Sequence, residues 1–192
     1  MEYQNYFAER YKSEDPWLFE TSLYEKVRHA AMVEFATAGS PRTVLDLGCG
    51  EGHFLTRLLK KAPELAVTGV ELIPVAAERC RQRLAGFSHN IITSDLIDYL
   101  KSQELEIFDV VVCGDVLYYL EPSVVQEVVI PQIRRHLKPA GSVVLSYTDV
   151  NDHGWLFDLF AAGFVAKEQI YIKPGINPPP WPWVVALFKD DR

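Results

Sequence analysis

From Thr43 to Gly52 the chain reads as five strand-forming residues, Thr43 to Leu47, that run straight into glycines at 48, 50 and 52 and then into a helical pattern. That strand-turn-helix unit limits the possible folds more than any other stretch. Glycines leave no Cβ in the way, so backbone comes within contact distance of a ligand, and the following helix opens on N–H groups without intrahelical partners. A dinucleotide site wants G-x-G-x-x-G with pyrophosphate on the helix N-terminus. Here the third glycine comes one residue early, an acid precedes the turn, and Asp46 and Glu51 repel phosphate. A cationic or zwitterionic ligand with an ammonium group fits better, which points to S-adenosylmethionine (AdoMet). The plain alternative is a β-to-α turn with incidental glycines.

Composition sets the bounds around this unit. A chain of 192 residues makes one domain with a full core. The net charge is -7 and no run of Lys or Arg is long enough to follow a phosphate backbone, so nucleic acid is not expected as a partner. Cys49, Cys80 and Cys113 are odd in number, lie far apart and form no C-x-x-C pair, so neither a disulfide framework nor a zinc site is indicated, which fits a reducing cytoplasm. No segment approaches the ~20 apolar residues of a membrane span, so a soluble, unexported protein without membrane contact is expected.

Residues 1–41 carry Tyr3, Tyr6, Phe7, Tyr11, Trp17, Phe19 and Tyr24 and read as a helical cover. Ser22 to Glu25 is a capping-box pattern, and Tyr24, Val27, Ala31, Phe35 and Ala38 recur at helical spacing until Gly39 and Pro41, predicting a helix over 23–38. A helix follows the glycine turn and stops at Pro63; strand two is 66–71; Pro74 opens a helix that runs to about Gly86. Strand three is 90–94 and strand four 108–113, both apolar runs of the buried parallel kind. Pro122 opens a helix that Pro131 should kink or split. Strand five is 142–147, after the Lys138–Gly141 turn; a helix near 154–162 precedes strands at about 164–173 and 183–189. The proline-rich stretch from Pro174 to Pro182 is expected to be a stiff loop joining two edge strands.

Strand-helix alternation implies a parallel, doubly wound sheet, whose ligands sit outside the strands' carboxyl ends where the winding reverses. Four acids fall there: Asp46 near the end of strand one, and Glu71, Asp95 and Asp115 after strands two, three and four. A carboxylate offers two oxygens in one plane, so Glu71 can accept both ribose hydroxyls. Asp95 can accept from an adenine amino group, with the Leu96 N–H for a ring nitrogen and Leu72 and Leu96 on either face of the ring.

The ordered set of Asp46 to Gly52, Glu71, Asp95, Phe108-Asp109 and Lys138 to Gly141 resembles the class I AdoMet-dependent methyltransferases over about residues 42–147. The resemblance implies a Rossmann-like, doubly wound seven-stranded sheet, mostly parallel with the last strand antiparallel. It also implies one methyltransferase domain over 1–192, with 1–41 as cover and 42–192 as core. Ala140 departs from the family's usual Gly-Gly. Asp15-Pro-Trp17, Thr21 to Glu25 and Asp115 to Leu120 further resemble the NodS group, which methylates the free amine of a deacetylated chitin oligosaccharide. The cofactor set is then expected to be the turn, Asp46, Gly48, Cys49, Gly50 and Gly52, with Glu71, Leu72, Asp95, Leu96 and Gly114, closed over by Tyr11 and Trp17. Asp115 with Tyr118 is expected to take the proton from an amine of a small molecule or amino sugar, since the nucleophile must be uncharged to attack. Glu20, Tyr147, Asp152 and His153 are candidate acceptor-pocket residues. The five histidines form no H-E-x-x-H cluster, so no metal is expected. Three alternatives stay open: a small-molecule O-methyltransferase, an AdoMet binder without catalysis, and a nicotinamide oxidoreductase.

Overall fold

The computed structural model describes residues 2–102, 106–148, 153–173 and 182–192. Two helices, α1 (Glu2–Arg10) and α2 (Leu23–Thr37), precede the alternating part. That part runs β1 (Thr43–Leu47), α3 (His53–Lys61), β2 (Ala66–Glu71), α4 (Pro74–Arg83), β3 (His89–Thr93), α5 (Leu96–Lys101) and β4 (Phe108–Gly114). After a 3-10 turn at Leu117–Tyr119 come α6 (Pro122–Val124), a π-helical turn (Val125–Val129), α7 (Ile130–His136), β5 (Leu137–Thr148), α8 (Trp155–Gly163), β6 (Val165–Ile172) and β7 (Trp183–Lys189).

The seven strands lie in the order β3-β2-β1-β4-β5-β7-β6, with β1 to β5 parallel and β7 antiparallel to both neighbours. Side chains alternate between faces along a strand, so each strand feeds two cores. Val44, Val110 and Val144 meet Phe35 of α2, Leu58 of α3 and Ala77 of α4 on one face, while Leu45, Val111 and Leu145 meet Ile133 of α7 and Phe160 of α8 on the other. Each such Val, Leu, Ile or Phe side chain, fully buried, contributes about 1.5–3 kcal/mol. No helix of the described residues is long and apolar enough to cross a membrane.

The winding starts at β1 and goes outward to β3, then jumps back to β4, so it reverses between β1 and β4. Pairing of Leu47 with both Val70 and Cys113 brings the carboxyl tips of β1, β2 and β4 level.

Several expectations are corrected. Helix α2 buries Glu25, Arg28, His29, Met32, Val33, Phe35 and Ala36, and leaves Val27 46% exposed. Of the expected apolar stripe, Tyr24, Ala31 and Phe35 pack on the sheet-side core, whereas Val27 and Ala38 are exposed and a polar trio, Glu25, Arg28 and His29, shares the inner face. Asp95 starts a helix, α5, that the sequence reading did not include. The helix is divided ahead of Pro131, as expected: Pro131 has no N–H, and the turn before it widens to a π-helical one, with the Ile130 N–H reaching the Val125 carbonyl. Strand β5 begins at Leu137 rather than Ser142, with a bulge between the Phe108–Leu137 and Val110–Ser142 pairs. In that bulge Ala140 takes φ +57, a left-handed backbone that costs a non-glycine residue about 1 kcal/mol; its N–H is tied to the Arg192 carbonyl at 3.1 Å. Strand β7 is interior, between β5 and β6, so only β6 is an edge on that side. The expected stiff loop, up to residue 181, lies outside the described residues.

Candidate functional site

Above the level strand tips lies a cavity of about 660 Å³, within the ~300–1,000 Å³ range of small-molecule sites. Its floor is the glycine turn, pinned where the Gly48 and Cys49 N–H groups share the Val70 carbonyl (2.8 and 3.0 Å). Two of the glycines are required for different reasons. Gly52 has φ +79, and a Cβ there would lie 2.7 Å from Cys80 Sγ in the core. At Gly50, φ +55, a Cβ would point into the cavity and meet only the Tyr11 hydroxyl, at 2.9 Å. Cys49 contributes backbone alone: its thiol is buried beneath the turn, 4.0 Å from Cys80 Sγ, and the Cys80 contact, then burial, push it well above its ordinary pKa.

Glu71 stands beside this floor, buried, with Oε2 accepting the Gly50 N–H (3.0 Å) and Oε1 the Ile73 N–H (2.8 Å). Burial raises its carboxyl to about 7 against those hydrogen bonds. Asp46 is buried next to it, raised to about 7 by burial and by the charge of Glu71, and accepts no side-chain hydrogen bond among the described residues. Asp95 caps α5, its Oδ1 taking the Ile97 and Asp98 N–H groups (2.7 and 3.3 Å), while Leu72 and Leu96 line the walls. Each carboxylate keeps lone pairs for hydroxyl, amino or ammonium donors.

Glu51 does something other than repel anions. Its Oε1 pairs with Arg79 (2.7 Å), and its Oε2 accepts the Asp15 N–H (2.8 Å) and faces His53 Nε2 (3.2 Å). Burial works against its charge, but the His53 and Arg79 hydrogen bonds prevail and hold its carboxyl at about 2. Arg79 also binds the Tyr11 and Ser13 carbonyls, and Arg57 the Phe19 carbonyl. The segment from Tyr11 to Glu20 is thus strapped across the glycine turn. Tyr11 is buried against the turn, and Trp17 packs edge-on to it with ring centroids 5.1 Å apart. Asp15, Glu51 and His53 could together offer three metal ligand atoms within 4.8 Å of one another; Arg79 pairs with Glu51, and the Phe19 and Glu20 N–H groups donate to the two Asp15 oxygens (2.7 and 3.0 Å).

On the other side of the cavity, Gly114 and Asp115 end β4. Asp115 has φ +56 and donates its N–H to the Ser146 carbonyl (2.9 Å). Its Oδ2 forms an ion pair with Arg28, and its Oδ1 accepts the Ser146 hydroxyl (3.3 Å). Burial lifts it to about 6, moderated by Arg28. Tyr118 lines the same wall, stacked on His153 at 4.7 Å and tilted against Tyr119 at 4.6 Å, its phenol pushed up by burial and by Asp115. Glu20 and Tyr147 do not line the cavity: Glu20 holds His53 from outside (2.8 Å), and Tyr147 is packed in the core of the opposite face. Asp152 lies outside the described residues.

Sequence reasoning missed Glu25, Arg28 and His29 on α2, with Phe19 and Trp183, all of which line the cavity. The available signal was three polar residues at i, i+3 and i+4, one helix face.

A protein-family model described as Nodulation protein S (NodS) matches residues 2–155. Nodulation protein S of Sinorhizobium fredii is 32% identical over 146 residues, which is 74% of this chain and 65% of that protein. The homologue from Rhizobium tropici is 32% identical over 146 residues, 74% of this chain and 59% of that protein. The matched region thus spans less than two thirds of either relative. Among solved structures, the N-methyltransferase NodS from Bradyrhizobium japonicum WM9, in complex with S-adenosyl-L-homocysteine, superposes with a TM-score of 0.84 at 22% identity, covering 98% of this chain and 99% of that one.

Proposed function

Because the chain belongs to the NodS family, we propose that it transfers a methyl group from AdoMet to an amine of a small molecule or amino sugar. The observation that carries this is the pair of buried carboxylates, Glu71 and Asp46, set against the bare backbone of the glycine turn where the winding reverses. The donor set suits AdoMet on chemical grounds. Glu71 has a lone pair left on each oxygen for the two ribose hydroxyls, and Asp46, whose side chain accepts no hydrogen bond from the described residues, takes the ammonium. Gly48 and Gly50 give the tail room against backbone, Asp95 and the Leu96 N–H meet the adenine edge, Leu72 and Leu96 its faces, and Gly114 the space beside the methyl carbon.

Bound AdoMet supplies an activated methyl group whose departure needs no acid at sulfur. The chain's own work is then alignment and exclusion of water. Tyr11 and Trp17 close one side, and their aromatic faces favour a cationic sulfonium by ~0.5–2 kcal/mol. On the acceptor side Asp115 and Tyr118 receive the amine; Asp115, raised to about 6, is an ionised acceptor at neutral pH. Residues 1–41 act with 42–192 as one unit, since α2 packs on α3, β5 and β7. The negative net charge suits a small-molecule acceptor rather than nucleic acid. Three buried, unpaired cysteines suit a cytoplasmic protein.

Incubation with methyl-labelled AdoMet and a mixed panel of amino sugars, small amines and phenols tests the reading. Label on nitrogen supports it, label on phenolic oxygen makes the protein an O-methyltransferase, and AdoMet binding with no labelled product makes it a non-catalytic binder.

A further inference from the structure

The wall of the cavity facing α2 carries a buried ionic cluster that joins Asp115 to Glu25 and Arg28, two residues that the reading above leaves without a task. Arg28 is 2% exposed. Its Nε and Nη2 both donate to Glu25 Oε2 (2.9 and 2.6 Å), and Nη2 also faces His29 Nε2 (3.3 Å). Its Nη1 pairs with Asp115 Oδ2 and reaches Ser146 Oγ (3.3 Å) and Met32 Sδ (3.6 Å). The rings of Trp183 and Phe19 lie over the guanidinium at 4.6 and 5.8 Å. A guanidinium has five N–H donors in a fixed fork, and here they are consumed within the protein.

Arg28 therefore offers nothing to an anionic ligand, although it lines the cavity. The carboxylates differ. Glu25 Oε1 accepts no hydrogen bond among the described residues, and Asp115 retains lone pairs beyond the two it uses. His29 adds no positive charge, since burial, then Arg28 and Arg57, hold it neutral. Two carboxylates against one guanidinium leave one net negative charge on this wall. Uncompensated buried charge is costly, and a ligand cation relieves it.

We propose that Glu25 and Asp115 together form the seat for the acceptor's amino group, bound as an ammonium, with Arg28 as a positioning residue that holds the two carboxylates in place. The inference rests on the methyl-transfer reading and names the group that selects its substrate. Glu25 Oε1 takes one proton from the bound ammonium: an N–H bond breaks, an O–H bond forms, and an uncharged amine with its lone pair is left beside a neutral carboxyl. The proton passes to water when product leaves. Hydroxyl compounds meet the same oxygens without the charge, and carboxylates and phosphates are repelled.

Calorimetric titration of the protein saturated with S-adenosylhomocysteine tests the seat at pH 7, with two matched pairs: 2-amino-2-deoxyglucose against glucose, and benzylamine against benzyl alcohol. The amine of each pair is expected to bind about tenfold or more tighter than its alcohol, and Glu25→Gln to reduce that preference to about twofold while leaving S-adenosylhomocysteine affinity unchanged. Equal binding of amine and alcohol by the native protein, or a preference that survives Glu25→Gln, overturns the seat. If Glu25→Gln also loses S-adenosylhomocysteine, Asp115→Asn decides by the same ratio: a lost preference supports the seat and a retained one overturns it. A native protein that does not bind S-adenosylhomocysteine defeats the methyl-transfer reading, and the seat with it.

Discussion

If Glu71 and Asp46 hold the nucleoside and the ammonium, affinity for S-adenosylhomocysteine must depend on pH with a sign set by their burial. Both carboxyls are raised to about 7 in the ligand-free protein, and both would accept donors from the ligand only when ionised. Binding is thus fully developed above pH 7 and lost as pH falls through it. A group with pKa about 7 is about half ionised at pH 7 and about one-eleventh ionised at pH 6, so each contributes about 5-fold in affinity over that unit, or ~1 kcal/mol; the two together give about 30-fold, or ~2 kcal/mol. Calorimetry at constant ionic strength across pH 6 to 7 measures this. Glu71→Gln should weaken binding and reduce the pH dependence to the single remaining step, about 5-fold or less. The stability of the ligand-free fold runs the other way. Raised carboxyl pKa values contribute stability that is complete below about pH 4 and lost as pH rises through 7. An affinity that is flat between pH 6 and 7, or that climbs as pH falls, refutes the assignment of these two residues to the ligand.

Arg28→Met leaves Glu25 and Asp115 buried without a counter-charge and should cost about 3–5 kcal/mol in urea unfolding; a loss below about 1 kcal/mol would show that the cluster adds no stability. Gly52→Ala forces a Cβ to within 2.7 Å of Cys80 Sγ at φ +79 and should lower stability by about 2–3 kcal/mol, whereas Gly50→Ala should cost about 1 kcal/mol and abolish S-adenosylhomocysteine binding. Thermal melts and calorimetry separate the two. Asp109 accepts the Arg42 and Thr43 N–H groups (2.9 Å each) and pairs with Lys138, and these contacts, against burial, hold it at about 2. Its contribution is complete above about pH 4 and lost as pH falls through 2. Asp109→Asn should lower the melting temperature at pH 7 and flatten the acid limb of the stability curve.

Much of the fold can be read from local pattern. Strands β1 and β2 begin and end where the apolar runs do, because a parallel strand buried on both faces is apolar throughout. The interior place of β7 was also written in its residues: Trp183 to Phe188 is unbroken apolar sequence, whereas β6 carries Lys167, Glu168 and Gln169, as an edge strand does. The α2 face could not be read in this way. Periodicity assigns apolar residues to the inside, and at Glu25 and Arg28 the rule inverts because Arg28 pairs both with Glu25 on its own helix and with Asp115 at the end of β4. Glu51 and Glu71 are both buried acids on the cavity wall. Glu51 anchors the strap through Arg79, 28 residues on, whereas Glu71 is held by the Gly50 and Ile73 backbone N–H groups.

The order of apolar runs, the glycines at the end of β1 and the acids at successive strand tips determined the winding and the crevice, because those features act through neighbours in the chain. The tertiary structure decided which charges are free. Whether a carboxylate can meet a ligand depends on which arginine, from which distant helix, has already claimed its oxygens.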